Sequence, residues 1–306
     1  MTAPSFLVVG QGSIGQRHAR LLRARGHVSV VSAKAQGAYR SIGEAIRASP
    51  PSHVVLANVT SRHADAVLEL AAAGFKGTLL IEKPICNTST DISEIQDALM
   101  HFERVLVGYN LRFHAVVQAL KSALSGEKIF EARFAVGQLL STWRPDVSYT
   151  ASSSAQTASG GGVLRDLSHE IDLILSLLGD CAQLVSCGGN LGRLGIETDE
   201  AWSIIMKMAS GAMVTLTLNY FDQPARREIA ITTSAHTLKA DLIAGKLMKA
   251  GMTEAYDVAR DETYRLLHEE FVKGGQTACS AQEGFAVMRV IEAVERSARE
   301  QRWITI

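Results

Sequence analysis

Phe6-Leu7-Val8-Val9-Gly10-Gln11-Gly12-Ser13-Ile14-Gly15 joins two patterns that rarely meet by accident. Residues 6–10 form a short apolar run ending in glycine, as expected of a strand buried on both faces. From Ile14 to Arg25 the pattern turns helical, and Gly26 punctuates its end. Between strand and helix, Gly10 permits a tight turn, Gly12 lets a ligand approach the backbone, and Gly15 lets helix and strand pack closely. The N–H groups of Ser13 and Ile14, at the positive end of the helix dipole, then face an anion. The loop is predicted to cradle the pyrophosphate of a dinucleotide.

Working outward, valine-rich His27 to Ser32 reads as a second strand and Ser41 to Ala48 as a short helix. Val54 to Ala57 is a third strand, followed by a helix through Ala73 that Thr60 or Ser61 could cap. Thr78 to Ile81 is a fourth strand stopped by Pro84, Asp91 to His101 a helix, and Arg104 to Gly108 a further strand. This alternation implies right-handed crossovers and a parallel sheet. The reading is an α/β protein whose N-terminal domain, residues 1–118, is a doubly wound Rossmann sheet.

Past residue 120 the rhythm changes. Phe130, Ala132, Phe134 and Val136 alternate with Glu131, Arg133 and Ala135, so one face is buried and one meets solvent. Ser203–Met208 with Ala212–Tyr220, and Glu228–Thr233 with Thr237–Leu242, read as hairpins. Residues 119–306 are therefore expected to form an α+β domain with an open, mostly antiparallel sheet. Residues 151–162 read as a mobile loop before a helix running on from Gly160. Ala281 to Glu300 reads as a final amphipathic helix.

The composition narrows the class. With 306 residues, 47% of them hydrophobic, the chain can bury two cores, and 31 basic residues balance 31 acidic ones. That balance offers no reason to expect nucleic acid or a membrane as partner. Cys86, Cys181, Cys187 and Cys279 lack zinc or disulfide spacing, which suggests reduced thiols and a cytoplasmic protein without a metal. The N-terminus shows no basic leader, and no apolar run reaches membrane-spanning length.

At the end of the second strand stand Ser32, Ala33 and Lys34, where an acidic residue would bind the ribose diol of NAD. A hydroxyl and a cation favour NADP over NAD. Glu82-Lys83-Pro84 ends the fourth strand, so Lys83 would project towards the cofactor crevice, although the tripeptide also fits a strand-end salt bridge. Asp166, His169 and Asp172 recur at intervals of three, on one face of a helix. A carboxylate beside a histidine suits a general base. Trp143 and Tyr149 could stack on a sugar face, and Arg112 and Arg144 could bind an anionic group, with His114 nearby in sequence.

The Gly-x-Gly-x-x-Gly loop, the Glu82-Lys83-Pro84 tripeptide and Gly160-Gly161-Gly162 leading to Asp166 and His169 together resemble the Gfo/Idh/MocA oxidoreductases. The likeness spans the whole chain, including Val107 to His114 and the final helix. It implies NAD(P)-dependent hydride transfer at a carbinol or ketone of a sugar, cyclitol or sugar nucleotide. It also implies a homodimer or homotetramer assembled through the C-terminal sheet. By resemblance, Lys83 binds the substrate hydroxyl or relays its proton, His169 is the acid/base, and Asp166 holds substrate or orients that histidine. Asn58, Thr60, His63 and Glu82 would belong to the cofactor site. The family commonly spaces the aspartate and histidine four apart, whereas here Glu170 holds the fourth position. That leaves His169 and Glu170 as rival bases, and His169 is favoured because its ordinary pKa lies nearer neutrality. A glycoside hydrolase using bound NAD and a redox-silent dinucleotide-binding regulator are the alternatives.

Overall fold

The computed structural model describes residues 4–32, 38–143 and 148–306, so Lys34 and Arg144 lie outside the described residues. In chain order the first elements are β1 (Ser5–Val9), α1 (Ser13–Leu22), β2 (His27–Val31), α2 (Ile42–Ala48), β3 (His53–Leu56) and α3 (His63–Ala72). They continue with β4 (Thr78–Ile81), α4 (Ser89–Leu99) and β5 (Arg104–Val107). Next come α5 (Ala115–Ala123), β6 (Ile129–Gly137), α6 (Val163–Asp166), α7 (His169–Leu178), β7 (Cys181–Gly189), β8 (Ala201–Met208) and β9 (Met213–Asn219). The rest are β10 (Arg226–Thr233), β11 (Thr237–Asp241), β12 (Lys246–Lys249), β13 (Met252–Ala255), α8 (Glu262–Lys273), β14 (Cys279–Ser280), α9 (Ala281–Glu300) and β15 (Ile304–Thr305).

The first compact unit comprises residues 1–110 and 263–288, the second residues 111–262 and 289–306. This division differs from the single cut after residue 118 expected from sequence. Residues 263–288 fold back onto the first unit, where β14 adds an antiparallel edge to β5.

The first unit is a Rossmann-like sheet of order β14-β5-β4-β3-β1-β2, with β1 to β5 all parallel. The chain winds outward from β1 to β2, then returns to β3 on its other side. That reversal is the topological switch point at which open parallel sheets bind ligands. Val8, Val54, Val55, Leu56, Leu79, Leu80 and Ile81 are wholly buried, so helices cover both faces. Two helix starts are capped as their sequences allow. Ser41 Oγ accepts from Glu44 N ahead of α2, and Thr88 and Asp91 make a reciprocal capping box on α4. The expected cap by Thr60 or Ser61 is not made. Those residues form a one-turn 3-10 segment, Thr60–Arg62, and α3 starts behind it without a side-chain cap.

The second unit carries a nine-stranded sheet of order β13-β12-β11-β10-β6-β9-β8-β7-β15. Only the β6–β9 pair is parallel. In β8, Trp202, Ile204, Met206 and Met208 are buried while Ser203, Ile205 and Lys207 are exposed. The stretch expected to be a mobile loop is instead a chain of 3-10 turns, Tyr149–Ala151, Ser153–Ala155 and Thr157–Ser159. Thr198 Oγ1 donates to Ser154 O at 2.7 Å and Glu197 N to Ala155 O at 3.1 Å, tying these turns to residues 190–200. That second segment wraps a carboxylate. The buried Glu200 side chain accepts from the backbone N–H groups of Leu191, Arg193 and Leu194 at 2.6–3.1 Å. No helix among the described residues is long and apolar enough to cross a membrane.

Candidate active site

The glycine loop meets the demands placed on it. Gly10 has φ +109°, and a Cβ there would stand 2.5 Å from the carbonyl oxygen of Ala57 at the end of β3. A Cβ on Gly15 would collide with the carbonyl of Gly10, so helix and strand touch through hydrogen alone. Gly12 differs: a Cβ there would meet nothing within 4 Å. It is the N-cap of α1, and no side chain caps that helix. The amides of its first turn, including those of Ser13 and Ile14, thus carry no side-chain cap and have the helix dipole behind them. Ser32 closes β2, with its amide on Tyr39 O at 3.1 Å.

At the carboxyl ends of β3 and β4, Asn58 donates Nδ2 to Arg62 O at 3.1 Å, while its Oδ1 is buried without a hydrogen-bond partner. A buried carbonyl oxygen of this kind calls for a donor from a bound molecule or water. The uncapped amides after Gly12 and the Asn58 oxygen together fit a dinucleotide. Gly10 to Gly15 would hold its pyrophosphate and Asn58, with Thr60 alongside in sequence, its nicotinamide end.

The turn bearing Lys83 is clamped on both flanks. Glu82 Oε1 lies 2.8 Å from His18 Nε2, and Glu82 Oε2 accepts from Lys83 N at 3.2 Å. On the other flank, His63 Nδ1 is 3.0 Å from Pro84 O, across a cis Lys83–Pro84 peptide. Burial opposes ionisation of Glu82. The His18 hydrogen bond and charge, with Lys83, outweigh it and hold the carboxyl below its usual range. Burial also lowers His63, only partly offset by its carbonyl contacts to Pro84 and Asn58, so this ring is neutral near pH 7.

In the second unit, Asp166 and His169 do not share one helix as expected. Asp166 ends α6 and His169 begins α7, because Leu167 departs from helical geometry at φ −100°, ψ 21°. Ser168 Oγ stabilises the break by donating to Arg165 O at 2.8 Å. Asp166 Oδ2 accepts from the hydroxyl of the fully buried Tyr220 at 2.6 Å. Burial and the charge of Asp166 push the Tyr220 hydroxyl well up, so it remains a donor. Trp143 packs edge-on against Tyr220, centroids 5.3 Å apart. Tyr149 gives its hydroxyl to Leu194 O at 3.1 Å, which fixes the ring in the loop around Glu200.

Three of the expected residues, Arg112, Asp172 and Glu170, are held in internal ion pairs. Arg112 is buried and grips Asp172 through Nε and Nη2 at 2.7–3.1 Å, so neither acts as the open arginine or third carboxylate read from sequence. Glu170 is buried against Arg227, with Nε 2.7 Å from Oε1. His114 caps α5 by accepting from Val116 N, and burial lowers its pKa. Sequence reasoning missed Tyr220 and His18. His18 lies one turn beyond Gly15 and carried a readable signal, a histidine on the buried face of the helix that opens the loop. Tyr220 carried none, since its partner is 54 residues away.

The fold defines a protein of two units, one built on a Rossmann-like parallel sheet and the other on an open, mostly antiparallel sheet. Residues 117–239 match the GFO/IDH/MocA C-terminal domain. That match lies within the second unit and agrees with the resemblance drawn from the motifs. Inositol 2-dehydrogenase of Rhizobium meliloti (strain 1021) is 24% identical over 337 aligned positions, covering 98% of each chain. Levoglucosan dehydrogenase in complex with NADH superposes with a TM-score of 0.85 at 16% identity, covering 100% of this chain and 99% of the other. The WlbA dehydrogenase from Bordetella pertussis, in complex with NADH and UDP-GlcNAcA, gives a TM-score of 0.83 at 19% identity, covering 99% and 98%.

Proposed function

We propose that this chain is an NAD(P)-dependent oxidoreductase acting on a secondary alcohol or ketone of a sugar, cyclitol or sugar nucleotide. The observation that carries the reading is Lys83, held on a turn clamped by His18 and His63 at the carboxyl end of a dinucleotide-type sheet. The named relatives, dehydrogenases of inositol and levoglucosan and one bound to a sugar nucleotide, support the substrate class.

The bound nicotinamide supplies or accepts the hydride. Lys83 binds the reacting oxygen through Nζ and steadies negative charge developing there. His169 takes the hydroxyl proton in oxidation and returns it in reduction. Glu170, the rival base, is engaged by Arg227, and this favours His169. Asp166, steadied by Tyr220, orients the substrate or the histidine. Trp143 and Tyr149 offer aromatic faces to the sugar, while Arg144, assigned to the substrate by sequence, lies outside the described residues.

NADP is proposed over NAD because Ser32 closes β2 where a carboxylate would select NAD, and Lys34 follows two residues later. Levoglucosan dehydrogenase and the WlbA dehydrogenase are seen with NADH, so the NADP preference is argued from this chain's own residues. The open sheet face, with Ile205 and Met213 exposed, is proposed to assemble a homodimer or homotetramer in the cytoplasm.

Absorbance of the reduced nicotinamide, followed over sugars, cyclitols and sugar nucleotides with both cofactors, tests the reading. Lys83→Ala and His169→Ala should each lower kcat by about 10²–10⁴-fold with cofactor binding retained. Wild-type turnover in either variant would sink the assignment.

A further inference from the structure

Behind the Lys83 turn the first unit buries a row of ionisable groups that hydride transfer does not itself require. His18 of α1 is wholly buried, as is His268 of α8, 250 residues further along the chain. His18 Nδ1 lies 2.7 Å from His268 Nε2, and His18 Nε2 lies 2.8 Å from Glu82 Oε1. The row ends at His268 Nδ1, which is buried without a hydrogen-bond partner. Tyr264 meets the His18 ring edge-on, and the Arg17 guanidinium stands 5.0 Å over Tyr264. Two imidazoles and a carboxylate are an expensive way to fill a core that leucine would fill at less cost in desolvation.

The protons can be counted. Burial above all drives His268 to its neutral form, with a single N–H. If that hydrogen is on Nε2, it points at His18 Nδ1, which must accept, and a hydrogen of His18 then stands on Nε2, pointing at Glu82. If one more proton enters the row, His18 carries both hydrogens, His268 shifts its own to Nδ1, and Glu82 still receives a donor. Either arrangement keeps Glu82 a hydrogen-bonded carboxylate. Its second oxygen accepts from the Lys83 amide, so the order of the row is passed to the catalytic turn.

We propose that His268 and His18 are positioning residues, forming a buried proton-ordered relay that fixes Glu82 and, through it, the Lys83 turn. The charged and titratable groups facing the relay are Lys83 and His63 on the turn side, Arg17 and Tyr264 against His18, and Arg25 towards His268. The proposal rests on the catalytic reading of Lys83 given above.

The test has two arms on the full-length protein. In ¹⁵N-histidine spectra, His268→Phe should shift the ring signals of His18, whereas unchanged His18 signals would overturn the relay. The kinetic arm uses saturating NAD(P)⁺ with whichever of myo-inositol, D-glucose and levoglucosan the wild type oxidises fastest. His268→Phe should lower kcat about tenfold with the KM for the alcohol and the cofactor Kd nearly unchanged. Its acidic limb should move to higher pH, because a Glu82 less firmly held by His18 protonates more readily. His18→Leu should behave likewise and more severely, and His18→Gln, which keeps a donor near Nε2, should recover most of the rate. An unmoved pH profile in His268→Phe, or no recovery in His18→Gln, overturns the relay alone if Lys83→Ala is impaired. Wild-type turnover in Lys83→Ala overturns the catalytic reading and the relay's role with it.

Discussion

Strands β3 and β4 bury Val54 to Leu56 and Thr78 to Ile81 without a break, whereas β8 and β9 bury only every second residue. The first pair lies within a parallel sheet covered on both faces, the second within a sheet covered on one. The difference decides where function can be placed. A sheet buried on both faces leaves only its strand ends to a ligand, and the glycine loop, Asn58 and Lys83 all stand at carboxyl ends. A sheet covered on one face keeps a whole surface in reserve, here bearing Ile205 and Met213.

The comparison can be broken most forcefully at Gly10. Gly10→Ala forces a side chain onto a backbone at φ +109° and against the Ala57 carbonyl. We expect complete loss of NAD(P)H binding by fluorescence titration, and tight binding by this variant would refute the strand-end account. Next comes the burial contrast in the second sheet. Leu216→Ala, on the covered face of β9, should destabilise by about 2–5 kcal/mol in urea unfolding. Ile205→Asp, on the open face of β8, should instead lower the oligomer mass seen by light scattering, with a protomer stability change of about 0.5 kcal/mol or less. A large stability loss at Ile205 with unchanged mass would show that the face is part of a core.

The smallest effect is a pH trend. His53, His63 and His268 in the first unit all have pKa values lowered from 6.5, chiefly by burial. His114 in the second is lowered in the same way. As pH falls through that ordinary value, the unfolded chain takes up protons that the folded unit refuses, so folded stability declines. Glu82 extends the trend at lower pH, because its stabilising charge is lost as pH falls through its depressed pKa. Hydrogen exchange at about pH 7 and about pH 5.5 should show residues 1–110 losing protection before residues 111–262. The reverse order would contradict the assignment of neutral buried histidines.

The same contrast explains what could be read in advance. Gly10, Gly12 and Gly15 act within six consecutive residues, so their geometry is local and the loop was legible. The alternation of β6 and β8 to β11 is local too, and it announced an open sheet. Contacts across long separations were not legible. Arg112 gave no sign that Asp172 would claim it, nor Glu170 that Arg227 would. The break between Asp166 and His169 was hidden as well, because Leu167 and Ser168 both tolerate a continuous helix. The folding of residues 263–288 onto the first unit left no mark in periodicity. The histidine row that begins at His18 could therefore be seen at one end only.

Glu200 separates two properties that loops usually confound. The amides of Leu191, Arg193 and Leu194 close around one buried carboxylate, and Asn190 ties the same loop through Gly192 N and Ile196 O, so its path is set by these two side chains. Side-chain identity at Arg193 and Leu194 can drift while the loop holds its path, whereas Gly192 and Gly195 are held to glycine by φ of +66° and +64°, and Tyr149 stays tied to Leu194 O throughout. Such a loop can change its surface without refolding, which makes this one carboxylate a fixed post around which the sequence can vary.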